Sequence, residues 1–155
     1  SVLLDKFVGQ QDLLSGEQMD SILAKVCCNL ENDYLTIRQA ALKLCDSFIK
    51  YVKRFAVEFK FQDLAWNLVQ RLDDAKAAVT IESLHQFCQL MEVGEVESFQ
   101  GNVAELLVIH LNDSVKEIRQ ACFSVLQQWR EKVGIERIQE AMKGKLFEWF
   151  DVSQL

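Results

Sequence analysis

The sequence predicts an all-α fold built as a stack of helix pairs, an α-solenoid, and three observations predict it. Proline is absent from the 155 residues, six are glycine, and no Asn-Gly or Asp-Gly pair occurs to turn a β-hairpin. Apolar residues recur at helical spacing along most of the chain. The same apolar faces and the same acidic junctions return every ~40 residues, the period of two-helix repeats.

Taken in order, a leading helix is expected over 2–14 from Leu3, Leu4, Phe7 and Val8. Ser15 with Gln18 has the spacing of a capping box, which opens a first repeat over about 16–53. Its first helix presents Met19, Ile22, Leu23, Val26 and Leu30 on one face, and its second presents Ile37, Ala40, Ala41, Leu44, Phe48 and Val52. The second repeat, about 60–92, carries the first-helix face again 42 positions on, as Phe61, Leu64, Ala65, Leu68 and Leu72. Its second helix is the weakest copy and uses Val79, Ser83, Leu84, Phe87, Cys88 and Met91. The third repeat, about 98–133, reads Gln100, Val103, Ala104, Leu107 and Leu111, with Gln100 the one polar break. Its second helix, Ile118, Ala121, Cys122, Val125, Trp129 and Val133, matches that of the first repeat at a shift of 81, and "IRQA" is identical in both. Ile138, Met142 and Leu146 continue the register as a trailing helix over 135–150.

Each first helix ends on an acidic junction: Leu30-Glu31-Asn32, Leu72-Asp73-Asp74 and Leu111-Asn112-Asp113. Asn and Asp accept bonds from the unpaired N–H groups of a helix start, and a carboxylate there meets the positive end of the dipole. Asp74 and Asp113 are therefore expected to be N-caps of the second helices. Metal ligation is not expected, because ligating carboxylates converge from several places and a repeated adjacent pair does not. Arg38 and Arg119 fall early in their second helices and are expected to bond the turn aspartates of the same or the adjacent repeat; Thr80 stands at that place in the second repeat.

Leu-x-Asp-x-x-x-x-Val-Arg-x-x-Ala resembles the HEAT-repeat signature. It is carried by Asn32/Ile37/Arg38, by Asp74/Val79 without the arginine, and by Asp113/Ile118/Arg119, over about residues 16–133. The resemblance implies a right-handed α-solenoid of about three HEAT-like helix pairs with one extra helix at each end. It also implies that the second helices line a concave, partner-binding face. HEAT repeats often carry a proline in the first helix; none occurs here, which keeps an armadillo-like variant open. The turns are also similar to those of TOG domains, HEAT-based tubulin binders that present lysines and an aromatic residue. Here the turns offer Tyr34, Lys76 and Lys116, without the tryptophan typical of that family's first turn. Residues 1–155 are expected to be one helical-repeat domain, a segment of a larger protein.

Composition narrows the function. A net charge of −6 disfavours a general nucleic-acid footprint. There is no glycine-rich phosphate loop, no G-x-S-x-G and no H-E-x-x-H. His85 and Cys88 are three apart but lack an orienting acid nearby. Neither catalysis, a cofactor nor a small-molecule substrate is expected. The five cysteines include no C-x-x-C pair and read as small buried side chains of a reducing compartment, the cytoplasm or the nucleus. No apolar run approaches the ~18 residues of a membrane span.

What remains is protein binding. Lys43, Lys50, Lys53 and Arg54, with Tyr51 among them, form a basic stretch in an acidic chain and are the candidate contacts for an acidic partner surface. Trp149 and Phe150, in "KGKLFEWFDVSQL", are candidate contacts for the next repeat or for self-association.

Overall fold

The computed structural model describes residues 13–94 and 100–142, and every regular element among them is helical. Helix α1, Gly16–Leu30, starts at the expected capping box: the Gln18 N–H donates to Ser15 Oγ at 3.3 Å and the Ser15 N–H to Gln18 Oε1 at 2.9 Å. It buries Met19, Leu23, Val26 and Leu30, one stripe at helical spacing. Helix α2, Leu35–Phe55, is the longest among the described residues and ends at Ala56 in the left-handed region, with Lys53 and Arg54 in its last turn where cations suit the dipole. Helix α3, Phe61–Gln70, tightens into a 3₁₀ turn at Arg71–Asp73, and α4 runs Ala77–Met91. Helices α5, Gln100–His110, and α6, Lys116–Val133, form the next pair; Gly134, at φ 85°, breaks the chain before α7, Ile135–Met142.

Each of α1, α3 and α5 packs on the helix that follows it. The second helices also pack on one another in chain order, α2 on α4 and α4 on α6, while α1 packs on α3 and α5 on α7. One continuous apolar core runs from Leu14 through Phe48, Leu68 and Phe87 to Trp129 and Ile138.

This order of packing explains where the second helices depart from their expected faces. In α2, Ala41, Phe48 and Val52 are buried as expected, but Ala40 is exposed, and Leu42, Cys45 and Ile49 are buried as well. A helix held between its own partner and the next second helix needs a wider apolar arc than one stripe.

The expected leading helix over 2–14 does not extend to residues 13–15, which are not helical. There the Leu14 N–H donates to the Tyr51 hydroxyl at 2.7 Å, so the incoming chain lies against α2. The rest of that helix falls outside the described residues, as does the trailing helix beyond Met142.

Candidate functional site

The three turns inside the helix pairs share one geometry. Asn32 Oδ1 accepts from the Tyr34 N–H at 3.0 Å, Asp74 Oδ1 from Lys76 at 2.9 Å, and Asp113 Oδ1 from Val115 at 2.8 Å. The N-cap positions are Tyr34, Lys76 and Val115 themselves, none with a side-chain cap bond. The expectation that Asp74 and Asp113 are N-caps is thus corrected by two residues. Each makes an Asx turn that reverses the chain before the helix begins.

Arginine covers this turn from above. Arg38 Nη1 donates to the carbonyls of Asn32 at 2.9 Å and Asp33 at 3.0 Å, and Arg119 Nη1 to those of Asp113 at 2.6 Å and Ser114 at 3.1 Å. Arg38 also reaches the next repeat: Nη2 donates to Asp74 Oδ1 at 3.0 Å and Nε lies 2.8 Å from Oδ2. In the second repeat Thr80 bonds only its own side of the junction, its hydroxyl 3.4 Å from the Leu72 carbonyl. At that junction stands His110, from the end of α5. Its Nδ1 is 3.2 Å from Asp113 Oδ2 and its Nε2 is 3.3 Å from Asp73 Oδ1. Sequence spacing did not single out His110 for this place; the missing arginine at position 80 was the available sign.

The Asp113 carboxyl is held below the usual carboxylate range, first by the Val115 N–H and further by His110 and Arg119. A lowered folded value stabilises the fold above the unfolded value, ~3.9, and that stability is lost as pH falls through the folded value. Asp113→Ala is therefore expected to cost ~1 kcal/mol near neutral pH. Urea unfolding should show the variant and wild type converging in acid. Asp113→Asn, which keeps the acceptor that Asn32 uses in the first turn, should cost less.

The basic stretch is only partly available. Lys50 pairs with Asp46 at 2.6 Å and Lys53 pairs with Glu92, both exposed. The Arg54 guanidinium lies 5.3 Å from the Phe55 ring centroid. Lys43 is exposed, and among the described residues neither it nor Arg54 is in an ion pair. Tyr51 must be withdrawn as a contact residue: it is 5 % exposed, and its hydroxyl is taken by Leu14. It faces inward because it falls on the same side of α2 as Phe48 and Val52. Trp149 and Phe150 lie outside the described residues.

An open groove of about 470 Å³ runs along the seam of α1 and α3, lined by Leu23, Ala24, Cys27 and Trp66 and by the Asp20–Lys60 pair. With the Gln70 amide turned so that its oxygen faces Trp66, the indole N–H donates to Gln70 at 2.8 Å and the Gln70 amide donates to Glu31 at 3.1 Å. Burial, then Asp63 and Glu31, push the Cys27 thiol up to about 11. Burial likewise raises Cys88 to about 11 and Cys122 to about 12, and raises Cys45. These thiols stay protonated near neutral pH and are poor nucleophiles. Among the described residues no three His, Cys, Asp or Glu side chains gather as a metal site, and no helix is long and apolar enough to cross a membrane. Comparison with protein-family models, with curated proteins and with solved structures returned no match.

Proposed function

We propose that the chain is a non-catalytic, protein-binding segment of a right-handed HEAT-like α-solenoid, working within a larger assembly in a reducing compartment, the cytoplasm or nucleus. The observation that carries the repeat reading is the turn that recurs at Asn32, Asp74 and Asp113 with the same backbone bond, roofed by Arg38 and Arg119. The stacking of α2 on α4 on α6 supports it as well, because a solenoid buries each repeat against its neighbours. The binding face is the exposed side of these second helices. Lys43 and Arg54 anchor it for an acidic partner surface, with Lys50 and Lys53 able to exchange their exposed carboxylates for those of a partner, since such pairs contribute at most ~1 kcal/mol.

The test is charge reversal. Lys43→Glu with Arg54→Glu should leave the melting temperature within a few degrees of wild type. Recovery of bound proteins from a cell lysate should drop for those partners whose capture by wild type weakens with salt, since exposed charges are screened over ~10 Å at 0.1 M. A double variant that retains every partner of the wild type sinks the assignment.

A second reading, a TOG-like tubulin-binding module, is favoured by one observation: Tyr34 is 71 % exposed at the tip of the first turn, and Lys76 occupies the same place in the second. Co-sedimentation with microtubules that is lost in Tyr34→Ala would shift the contact from the helix faces to this edge. A further contact through Trp149 and Phe150, including self-association, rests on their spacing in the sequence.

A further inference from the structure

The groove along the seam of α1 and α3 belongs to the first helices, whereas Lys43 and Arg54 stand on a second helix, α2. Its lining is of two kinds. Leu23 and Ala24 from α1 and the ring of Trp66 from α3 are apolar, while Asp20 from α1 and Asp63 from α3 are exposed carboxylates. Trp66 is 40 % exposed. With Gln70 turned toward it, the indole N–H is already engaged, and Gln70 in turn bonds Glu31 at the end of α1. The ring is thereby held across the seam, and what it offers a ligand is its π-system, not its donor.

The charges around the ring do not balance. Among the described residues neither Asp63 nor Glu31 is in an ion pair. Asp20 is met by Lys60 at 3.5 Å, with both side chains more than half exposed. Such a pair contributes at most ~1 kcal/mol, and a competing cation can displace it. The Cys27 thiol in the lining is raised first by burial and then by Asp63 and Glu31, so both carboxylates act on the groove. An anionic occupant would be repelled here. A wholly apolar one would desolvate Asp63 without compensation. A guanidinium answers both parts of the lining: it stacks on an indole, forks onto a carboxylate and lays its methylene stem on apolar surface. Trp66 and Asp63 are three residues apart in α3 and so share a face. The volume, about 470 Å³, is that of a cleft for a few side chains.

We infer that this groove is a docking site for an arginine-bearing peptide segment of a protein partner, the guanidinium set on Trp66 and against Asp63 and its apolar neighbours on Leu23 and Ala24. The site is separate from the basic face of the second helices and takes a partner of the opposite charge.

The probe is the peptide acetyl-Ala-Leu-Arg-Leu-Ala-amide, titrated into the isotope-labelled chain and followed by NMR. The same peptide with citrulline in place of arginine is the neutral control of equal shape. The Trp66 indole N–H and the amides of Ala24 and Asn67 should shift saturably. The citrulline peptide should bind about fivefold more weakly, within the range of a cation–π contact with its carboxylate removed from play. Trp66→Leu and Asp63→Asn should each weaken the arginine peptide about fivefold, the second by changing charge without changing shape. Both positions are exposed, and thermal melts should show the fold retained. Lys43→Glu with Arg54→Glu should bind the peptide as wild type does, so a failure of the basic face leaves this result untouched. Equal binding of the two peptides, binding that survives both groove variants, or shifts that fall on α2 instead, overturns the inference. So does the absence of any saturable shift.

Discussion

Phe48→Ala is expected to lower folding stability by ~3–5 kcal/mol, the range for truncating a buried aromatic side chain. Phe48 is fully buried in α2, at the place in the repeat that Trp129 fills in α6. Its ring meets Phe59 edge-on at 5.4 Å, and Phe59 meets Phe61 at 6.1 Å. Phe59 lies in the link between the first two helix pairs, so the truncation opens a cavity between α2 and that link and removes an aromatic contact beyond the loss of area. Collapse into the space is restricted, because α2 is already packed on both α1 and α4. Lys50→Ala, which breaks the exposed pair with Asp46 on the other side of the same helix, should change stability by no more than ~0.5 kcal/mol. Chemical denaturation of both variants gives the comparison. A Phe48→Ala loss near that of Lys50→Ala would mean that α2 is not enclosed on two sides.

Much of this architecture is legible in the chain, and the illegible parts share a cause. Met19, Leu23, Val26 and Leu30 are one stripe at helical spacing, and periodicity finds such a face directly. Leu42, Cys45 and Ile49 were outside the expected face because periodicity shows that a side is apolar without showing that a helix has two neighbours. Tyr51 sits among lysines in "KYVKRF" and so resembles a surface aromatic; its hydroxyl is met by the N–H of Leu14, 37 residues earlier. The arginine–aspartate link between repeats could be anticipated, since Arg38 and the turn aspartates recur at fixed spacing. The junction at His110 could not, because the ring meets Asp73 through the packing of repeats and not through any local pattern. For the proposed binding face, residue type picked out Lys43, Lys50, Lys53 and Arg54 alike, and only the structure distinguishes Lys43 and Arg54 from Lys50 and Lys53, which already have carboxylate partners.

Removing one partner of the Arg38–Asp74 pair is expected to destabilise the fold by ~3 kcal/mol, the low end for breaking a buried ion pair. Burial sets this scale: the Arg38 and Asp74 side chains are 12 % and 3 % exposed, unlike the open Lys50–Asp46 pair. Asp74→Ala leaves a guanidinium without its counter-charge and also removes the acceptor that holds the Lys76 N–H in the second turn. Arg38→Ala leaves a carboxylate buried and uncovers the carbonyls of Asn32 and Asp33 in the first turn. Both single variants therefore damage two repeats at once. Arg38→Lys should recover little, because a single ammonium cannot face both oxygens of Asp74 while also bonding two carbonyls. The double variant should be less destabilised than the sum of the singles by 1 kcal/mol or more, roughly the coupling of residues in one charged network. The four-member cycle, read from urea midpoints at pH 7, decides between two arrangements. Strong coupling means that the pair fastens the first helix pair to the second across their junction. Additive losses would mean that each residue serves its own turn alone, and that the repeats are held together by the apolar contacts of α2 with α4.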